Sequence, residues 1–382
     1  MIVQQARLTA RHPSPRAWVR QLHTDRMENP IQMFHVQLAG SGKSFDVAAD
    51  ETVLAAARRA GLGLPYSCLS GNCGSCKGEV LSGDVGYPYN PPSALTADER
   101  AQGQALLCQA VPRSDLKLAI REVEAVAGIP LRQLSVKVAA KHLLCADVME
   151  LQLLPPHQEQ LKYLPGQYLD ILLPEGKRRA FSIANAPQHS ATLNLHVRRV
   201  PGGGFTQFVF DELKLGQLLR IEAPLGTFVP REGGDRPILL MAGGTGFAPI
   251  KAIVEHLLDR ATHRALHIYW GARHVDDLYL DALCRRWQSE HPSLRYTPVL
   301  SEANPLERNQ FRSGHVHEAV LKDFPDLSRF DVYMSGPPPM IAAGRREFVG
   351  AGLPEDRLYY DSFDYAPDVL AALIRARSKA PG

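Results

Sequence analysis

The sequence has few cysteines and no long apolar run. Six cysteines in 382 residues argue against a disulfide scaffold and are typical of a reducing compartment. The longest apolar stretch, PILLMAGGTGFAPI, is rich in glycine, too short to cross a bilayer and bounded by Arg236 and Lys251. These absences predict a cytoplasmic protein that does not associate with a membrane.

Excess charge is also lacking over most of the chain. The formal net charge is +3, and residues 1–30 account for all of it with five Arg against Asp25 and Glu28. A protein that is neutral elsewhere has no general basic surface for nucleic acid. Residues 1–30 lack the apolar segment of a secretory signal, so we expect a disordered basic tail, with Met27 or Met33 as alternative start residues.

Four of the six cysteines have the spacing of an iron–sulfur site. Cys68, Cys73 and Cys76 form a C-x4-C-x2-C motif, and 31 residues separate Cys76 from Cys108. This is the plant-type arrangement for a [2Fe–2S] cluster, in which thiolates hold both irons. Gly71 between the cysteines suits a loop that wraps closely around a small anionic cluster.

The alternatives for these cysteines are a zinc site or buried thiols. Zinc sites usually pair cysteines as two C-x2-C hooks, whereas this chain has one triplet and one distant cysteine, so the spacing favours the cluster. Cys145 and Cys284 lie alone in apolar segments and are expected to be ordinary buried residues.

The pattern of apolar residues divides the chain into units. Residues 31–126 are predicted to form a hairpin, a helix with Asp50 as its N-cap, the cysteine loop and a strand that carries Cys108. Residues 133–232 contain many short β-like runs separated by Pro and Gly, which predict an antiparallel barrel. Residues 233–365 alternate strands and helices, which predicts a doubly wound parallel sheet. Residues 366–382 form a C-terminal tail.

A glycine-rich turn indicates a dinucleotide site. It follows the apolar strand PILLMA, precedes an amphipathic helix and contains Gly243, Gly244, Thr245 and Gly246. Glycines there let the backbone approach a pyrophosphate, and the helix N-terminus supplies N–H donors. A glycine turn alone would be a weak signal, and its position between strand and helix is what favours the site over a merely tight turn.

A second group of residues in the predicted barrel fits a flavin. Arg179 is suited to a flavin phosphate, Phe181 to stacking on the isoalloxazine and Ser182 to a hydrogen bond near its N5. Taken one at a time, such residues are more often a solvated arginine and a core aromatic. The further candidates downstream are His196, Val197, Arg198, Gly203, Gly204 and Thr206.

The order of these motifs resembles the ferredoxin-reductase superfamily, in the branch with an N-terminal plant-type ferredoxin domain. Segments such as RRAFSIANAP, LHVRRV and LLMAGGTGFAPIKAIVE are especially similar to the CDP-6-deoxy-Δ3,4-glucoseen reductase family. The resemblance covers about residues 31–365. It implies a multidomain α+β and α/β fold with a β-grasp [2Fe–2S] ferredoxin domain, an antiparallel FAD-binding barrel and a doubly wound parallel NAD(P)-binding sheet.

Carried onto this chain, the resemblance implies that the four motif cysteines ligate the cluster, the barrel residues hold FAD and Gly243 to Gly246 hold the nicotinamide dinucleotide. It also implies that Ser182 and Ser335 lie at the reacting atoms and that Phe363 is the late aromatic contact. Two positions depart from the family pattern. Phe181 replaces a frequent Tyr, and Ser335 replaces a frequent Cys before the late Gly-Pro.

The implied function is an NAD(P)H-dependent electron-transfer reductase that passes electrons to a protein acceptor. The first candidate acceptor is a deoxysugar dehydrase, CDP-4-keto-6-deoxyglucose-3-dehydrase, and the alternative is an oxygenase component. A redox-sensing binding module is a third alternative, but a sensor needs no hydride donor.

The residue after Ser301 predicts a preference for NADH over NADPH. Relatives that use NADPH carry a Ser-Arg pair there, whereas this chain has Glu302, whose carboxylate would repel a 2′-phosphate and can accept from a ribose hydroxyl. Two readings compete with this prediction: Glu302 could be a solvated loop charge, and Arg273 after the preceding strand could itself reach a phosphate.

Overall fold

The structure is a computed structural model that describes residues 32–89, 91–156, 161–189 and 191–363. The predicted tails, residues 1–30 and 366–382, lie outside these described residues. Within them, no helix is long and apolar enough to span a membrane. Three main sheets follow one another along the chain, and each has its own buried core.

The N-terminal unit is a small mixed sheet. Its strands are β1 Met33–Leu38, β2 Ser44–Ala48, β3 Lys77–Ser82, β4 Val85–Gly86, β5 Gln104–Leu106, β6 Val111–Pro112 and β7 Leu116–Ala119, and its helices are α1 Val53–Arg59 and α2 Ala97–Ala101. The main sheet has the order β2-β1-β7-β3-β5, and only β1 and β7 run parallel. Helix α1 buries Val53 and Leu54 in the core of this sheet.

Two local predictions for this unit are wrong. Helix α1 is capped by Thr52, whose hydroxyl accepts from the Ala55 N–H at 3.3 Å, rather than by Asp50. The reason is that Asp50 lies three residues before the first helical turn, too early to reach its free N–H groups. Cys108 follows strand β5 instead of lying within it, because the ladder with β3 ends at Leu106.

The middle unit is an antiparallel sheet of six strands that curls into a barrel, as predicted. Its elements are β8 Arg132–Cys145, β9 Val148–Leu154, β10 Tyr168–Leu172, β11 Arg178–Ser182, β12 Leu193–Arg198, helix α3 Gly204–Asp211 and β13 Leu218–Leu225. The order is β11-β10-β13-β8-β9-β12. The two outer strands meet where Ile183 bridges to Leu195, and this bridge closes the barrel.

The C-terminal unit is a parallel sheet of six strands with helices between them. Its elements are β14 Ile238–Gly243, α4 Phe247–Asp259, β15 Leu266–Ala272, α5 Asp281–Glu290, β16 Leu294–Leu300, β17 Arg312–Ser313, α6 Val316–Asp323, β18 Asp331–Gly336, α7 Pro338–Gly350 and β19 Leu358–Ser362. The order β17-β16-β15-β14-β18-β19 reverses direction at β14. A crevice for a ligand is expected where the order reverses, at the carboxyl ends of β14 and β18. The two-residue strand β17 escaped sequence analysis because it is too short to show a period.

A buried ion pair joins the barrel to helix α4. The Lys251 ammonium lies 2.5 Å from the Glu255 carboxylate and donates to the Ala184 carbonyl at 2.9 Å. Glu255 in turn accepts from the Ala186 N–H at 3.1 Å. Both side chains are about nine-tenths buried, at 11% and 10% exposure. The pair therefore connects the helix that follows the glycine turn to the segment that follows β11.

We predict that Lys251→Met lowers the free energy of unfolding by about 3 kcal/mol, because it leaves the Glu255 carboxylate buried without its counter-ion. Urea unfolding measures the change. The matched control is Lys322→Met on the exposed side of α6, which should change it by less than about 0.5 kcal/mol. Equal effects of the two substitutions would contradict a role for the buried pair.

Candidate functional site

The four motif cysteines lie together as two pairs. The Cys73 thiol hydrogen-bonds to Cys68 and lowers the pKa of Cys68, and the same contact raises the pKa of Cys73. The Cys76 thiol likewise hydrogen-bonds to Cys108, which lowers the pKa of Cys108 and raises that of Cys76. Three of the four sulfurs belong to buried residues, and Cys68 is half-buried.

Two pairs of cysteine sulfurs suit a cluster with two irons, each of which takes two of the four cysteine ligands as thiolates. Among the described residues, no group of three or more His, Cys, Asp or Glu side chains is arranged around a point where one metal ion would sit. The pairing of the motif cysteines fits the [2Fe–2S] cluster that their spacing predicts.

The loop that carries the cysteines depends on glycine for its path. Gly71 and Gly74 have φ of +81° and +79°, in the left-handed region that side chains rarely adopt. A Cβ on Gly71 would also lie 2.6 Å from the Pro92 side chain. The Ser75 N–H points at the Cys73 sulfur, 3.5 Å away. The chain thus folds closely around the thiols and directs a backbone donor at one of them, as a cluster requires.

The predicted flavin residues lie on neighbouring elements of the barrel. The bridge between Ile183 and Leu195 places the end of β11 beside β12, and the Phe181 ring lies 5.8 Å from the Phe205 ring at the start of α3. The Arg179 guanidinium donates to the Arg178 carbonyl at 2.9 Å and stays partly exposed. Arginine, aromatic ring and helix start therefore share one side of the barrel.

The start of α3 is tightly built. The Thr206 hydroxyl donates to the Gly203 carbonyl at 3.0 Å and accepts from the Val200 N–H at 3.1 Å. A Cβ on Gly203 would lie 2.9 Å from the Thr206 hydroxyl, whereas Gly204 has open space around it. This geometry fits a helix start that a pyrophosphate approaches closely.

His196, Val197 and Arg198 are directed away from open solvent. The His196 Nδ1 lies 3.1 Å from the Tyr279 hydroxyl, and its Nε2 is buried without a hydrogen-bond partner. Burial lowers the pKa of His196 to about 3, so the ring is neutral. Arg198 lies 2.7 Å from the Asp147 carboxylate and 3.3 Å from that of Asp277. His196 and Arg198 therefore contact other side chains of the protein, which sequence analysis did not anticipate.

A carboxylate that sequence analysis missed connects the three units. The Asp361 carboxylate, on β19, accepts from the Ser182 hydroxyl at 3.3 Å and from the Ser67 hydroxyl at 2.5 Å. Burial raises the pKa of Asp361 above its ordinary value, and the two hydroxyl donors offset only part of this rise. Because Ser67 precedes Cys68, one carboxylate contacts both the predicted flavin strand and the cysteine loop.

The glycine turn lies at the crevice where the sheet order reverses. Gly244 has φ of +54°, and its carbonyl accepts from the Trp270 indole N–H at 3.0 Å. A Cβ on Gly246 would lie 2.1 Å from the Ser335 carbonyl oxygen, and one on Gly243 would lie 2.6 Å from the Met340 sulfur. Only glycine fits at position 246, because the backbone of Ser335 cannot move aside, whereas the flexible Met340 side chain beside Gly243 can shift.

Ser335 and Phe363 lie next to this turn. The Ser335 hydroxyl is fully buried and has no hydrogen-bond partner. The Phe363 N–H donates to the Gly336 carbonyl at 3.4 Å, and the residue is 38% exposed. The two residues are thus neighbours in space, and their contact with a nicotinamide stays a prediction.

Glu302 lies at the same edge of the sheet, after β16. Its N–H donates to the Arg273 carbonyl at 3.0 Å, and its carboxylate lies 3.5 Å from the His274 Nε2. Arg273 is turned toward the Asp277 carboxylate at 3.7 Å. The carboxylate that would repel a phosphate and the arginine that could attract one are therefore side by side and both exposed.

Family models match the three units in turn. The 2Fe-2S iron-sulfur cluster binding domain matches residues 36–113, the oxidoreductase FAD-binding domain residues 135–229, and the oxidoreductase NAD-binding domain residues 240–346.

Several known proteins match almost from end to end. CDP-6-deoxy-L-threo-D-glycero-4-hexulose-3-dehydrase reductase of Yersinia pestis is 40% identical over 86% of this chain and 98% of its own. Reductase component 1 of terephthalate 1,2-dioxygenase of Comamonas is 32% identical over 87% of this chain and 98% of its own. Among solved structures, the cytochrome P450 reductase GcoB of Amycolatopsis is 35% identical, with a TM-score of 0.71 over 86% of this chain and 98% of its own.

The buried, neutral His196 predicts a loss of stability in acid. The unfolded chain takes up a proton near the ordinary histidine pKa of about 6.5, whereas the folded chain does not until about pH 3. Stability is therefore complete above about pH 6.5 and falls below it. His196→Gln should remove about 1.4 kcal/mol of the loss between about pH 7.5 and pH 5.5, as measured by urea unfolding. Exposed His142→Gln is the control, and an equal change in both variants would contradict the assignment.

Proposed function

The chain belongs to the ferredoxin-reductase superfamily, in the branch with an N-terminal [2Fe–2S] domain, and from that premise we propose that it supplies electrons to a dehydrase of CDP-deoxysugar synthesis. It is an oxidoreductase that transfers electrons by way of FAD and a [2Fe–2S] cluster to a partner protein. The dehydrase as partner is the proposal. Its support is the 40% identity to a reductase whose name specifies such a dehydrase.

When bound, FAD accepts a hydride from a nicotinamide dinucleotide, and the cluster passes electrons singly. We propose that Cys68, Cys73, Cys76 and Cys108 hold the cluster. For FAD we propose the side of the barrel built by Arg179, Phe181, Ser182 and the start of α3, with β12 beside it. For the dinucleotide we propose the turn from Gly243 to Gly246, with Ser335 and Phe363 next to it and Glu302 at the same edge.

The observation that carries the proposed placement of the cofactor sites is the contact of the three units at Asp361. A reductase that passes electrons from one bound group to the next needs those groups in adjacent units, and Ser67, Ser182 and Asp361 come from one unit each. None of them needs to act as a nucleophile. Their role is to hold the sites next to one another.

An oxygenase component is the second candidate partner. Two observations favour it: the reductase of terephthalate dioxygenase is 32% identical over nearly its whole length, and a cytochrome P450 reductase shares the fold at 35% identity. Boundaries at residues 31–126, 133–232 and 233–365, and a cytoplasmic location, stay predictions.

We predict that the reduced protein transfers electrons to a CDP-4-keto-6-deoxyglucose-3-dehydrase at least about tenfold faster than to an aromatic-ring oxygenase component. The measurement is NADH oxidation coupled to each purified acceptor. Cys76→Ser is the control: it removes a predicted cluster ligand, so transfer to either protein should stop while reduction of ferricyanide, which accepts directly from flavin, continues. Faster transfer to the oxygenase component would replace the dehydrase proposal.

We also propose that NADH is the preferred coenzyme. The exposed Glu302 carboxylate stands where a 2′-phosphate would be repelled, and Arg273 beside it is directed toward Asp277.

Glu302→Arg should shift the ratio of kcat/KM for NADPH over NADH upward by about tenfold or more, since a repelling charge becomes an attracting one. Glu302→Gln is the matched control and should shift the ratio less. A wild type that prefers NADPH, or an unchanged ratio in the arginine variant, would show that Glu302 is only a solvated loop charge.

A further inference from the structure

The residue directly before Cys68 contacts the C-terminal sheet through its side chain, because the Ser67 hydroxyl donates to the Asp361 carboxylate. We propose that Ser67 is a positioning residue: its hydrogen bond to Asp361 holds the cysteine loop in register with the strand that carries Ser182. This proposal rests on the proposed function, because it assumes that the loop carries a cluster and that β11 contacts a flavin. It adds a residue outside the cofactor motifs.

The backbone on both sides of the Ser67 hydroxyl is fixed by the barrel. The Tyr66 N–H donates to the Thr227 hydroxyl at 2.8 Å, and the Tyr66 carbonyl accepts from the same hydroxyl at 3.0 Å. The Tyr168 hydroxyl donates to the Ser67 carbonyl at 2.7 Å. Ser67, Tyr168 and Thr227 are each less than 10% exposed. With its backbone held in this way, the Ser67 side chain has little freedom to turn away from Asp361.

The buried Asp361 carboxylate favours one position of the N-terminal unit relative to the barrel. Asp361 is buried, and a buried carboxylate is costly unless hydrogen bonds replace the water it has lost. One oxygen takes the Ser67 donor and the other takes the Ser182 donor. If the N-terminal unit moved away or slid along the barrel, one oxygen would lose its donor while still largely buried. The carboxylate therefore favours one relative position of the units.

A second contact, made by Arg121, attaches the N-terminal unit to β19. The Arg121 guanidinium donates to the Tyr359 hydroxyl at 2.9 Å and lies over the Tyr359 ring, 4.9 Å from its centre. Tyr359 and Asp361 belong to the same strand, β19. Arg121 thus anchors the segment after β7 to β19, while Ser67 anchors the residue directly before Cys68 to the same strand.

The distance between the predicted cofactor contacts is short along this route. From Ser182 the connection runs through one carboxylate to Ser67, whose next neighbour in the chain is a predicted cluster ligand. Two hydrogen bonds and one peptide bond therefore link the flavin strand to Cys68. Loss of the Ser67 hydroxyl should loosen the loop without altering the thiols or the flavin strand.

The test is Ser67→Ala in the holoprotein, with exposed Ser82→Ala on β3 as the matched control. Hydrogen–deuterium exchange of peptides covering residues 66–76 should become about tenfold faster in Ser67→Ala only. Turnover with cytochrome c should fall at least about threefold, with the KM for NADH and the ferricyanide rate unchanged. The electron paramagnetic resonance spectrum of the reduced cluster should keep its shape.

Four outcomes overturn the proposal: unchanged exchange, an unchanged cytochrome c rate, equal losses with both acceptors, or an altered cluster spectrum, which would mean that the hydroxyl acts on the cluster itself. If Ser67→Ala does not fold, Tyr168→Phe removes a different hydrogen bond to the same residue and must give the same pattern. Wild-type behaviour of both variants, with cytochrome c reduction intact, would reject this role of Ser67 and leave the proposed function standing.

Discussion

The relative arrangement of the three units depends on the buried carboxylate of Asp361. It sits on the outermost strand of the C-terminal sheet, yet its hydroxyl donors come from the barrel and from the cysteine loop. Each unit has a buried core of its own, but the hydrogen bonds of this carboxylate require all three units together. The carboxylate thus determines how the three units are positioned relative to one another, and it does not determine the stability of any single unit.

Close contact between backbone segments likewise fixes the position of the glycine turn at the crevice where the sheet order reverses. Gly246 lies so near the Ser335 carbonyl that a side chain cannot fit, and helix α4 starts directly after it. The buried pair of Lys251 and Glu255 then attaches that helix to the chain after β11. The turn that would bind the dinucleotide and the strand that would bind the flavin are therefore connected through one helix.

Motifs that are local in sequence could be predicted, and contacts between distant segments could not. The spacing of the cysteines, the glycine turn and the alternation of strands and helices each lie within a few tens of residues, and they led to the three sheets observed. The N-cap of α1 was misplaced because Asp50 and Thr52 are both good capping residues and only the backbone decides between them. Asp361 is separated by 294 residues from Ser67 and by 179 from Ser182. A single aspartate between aromatic and small residues in YYDSF was the one available signal.

The bridge between Ile183 and Leu195 has a consequence for the behaviour of the chain at high concentration. An open sheet would leave the hydrogen-bonding groups of β11 and β12 free along their outer sides, and such edges can recruit a strand from another molecule. The bridge joins the two edges at one point, directly after Ser182 on one strand and directly before His196 on the other. At that point, beside the predicted flavin residues, a strand from another molecule has no free edge to pair with.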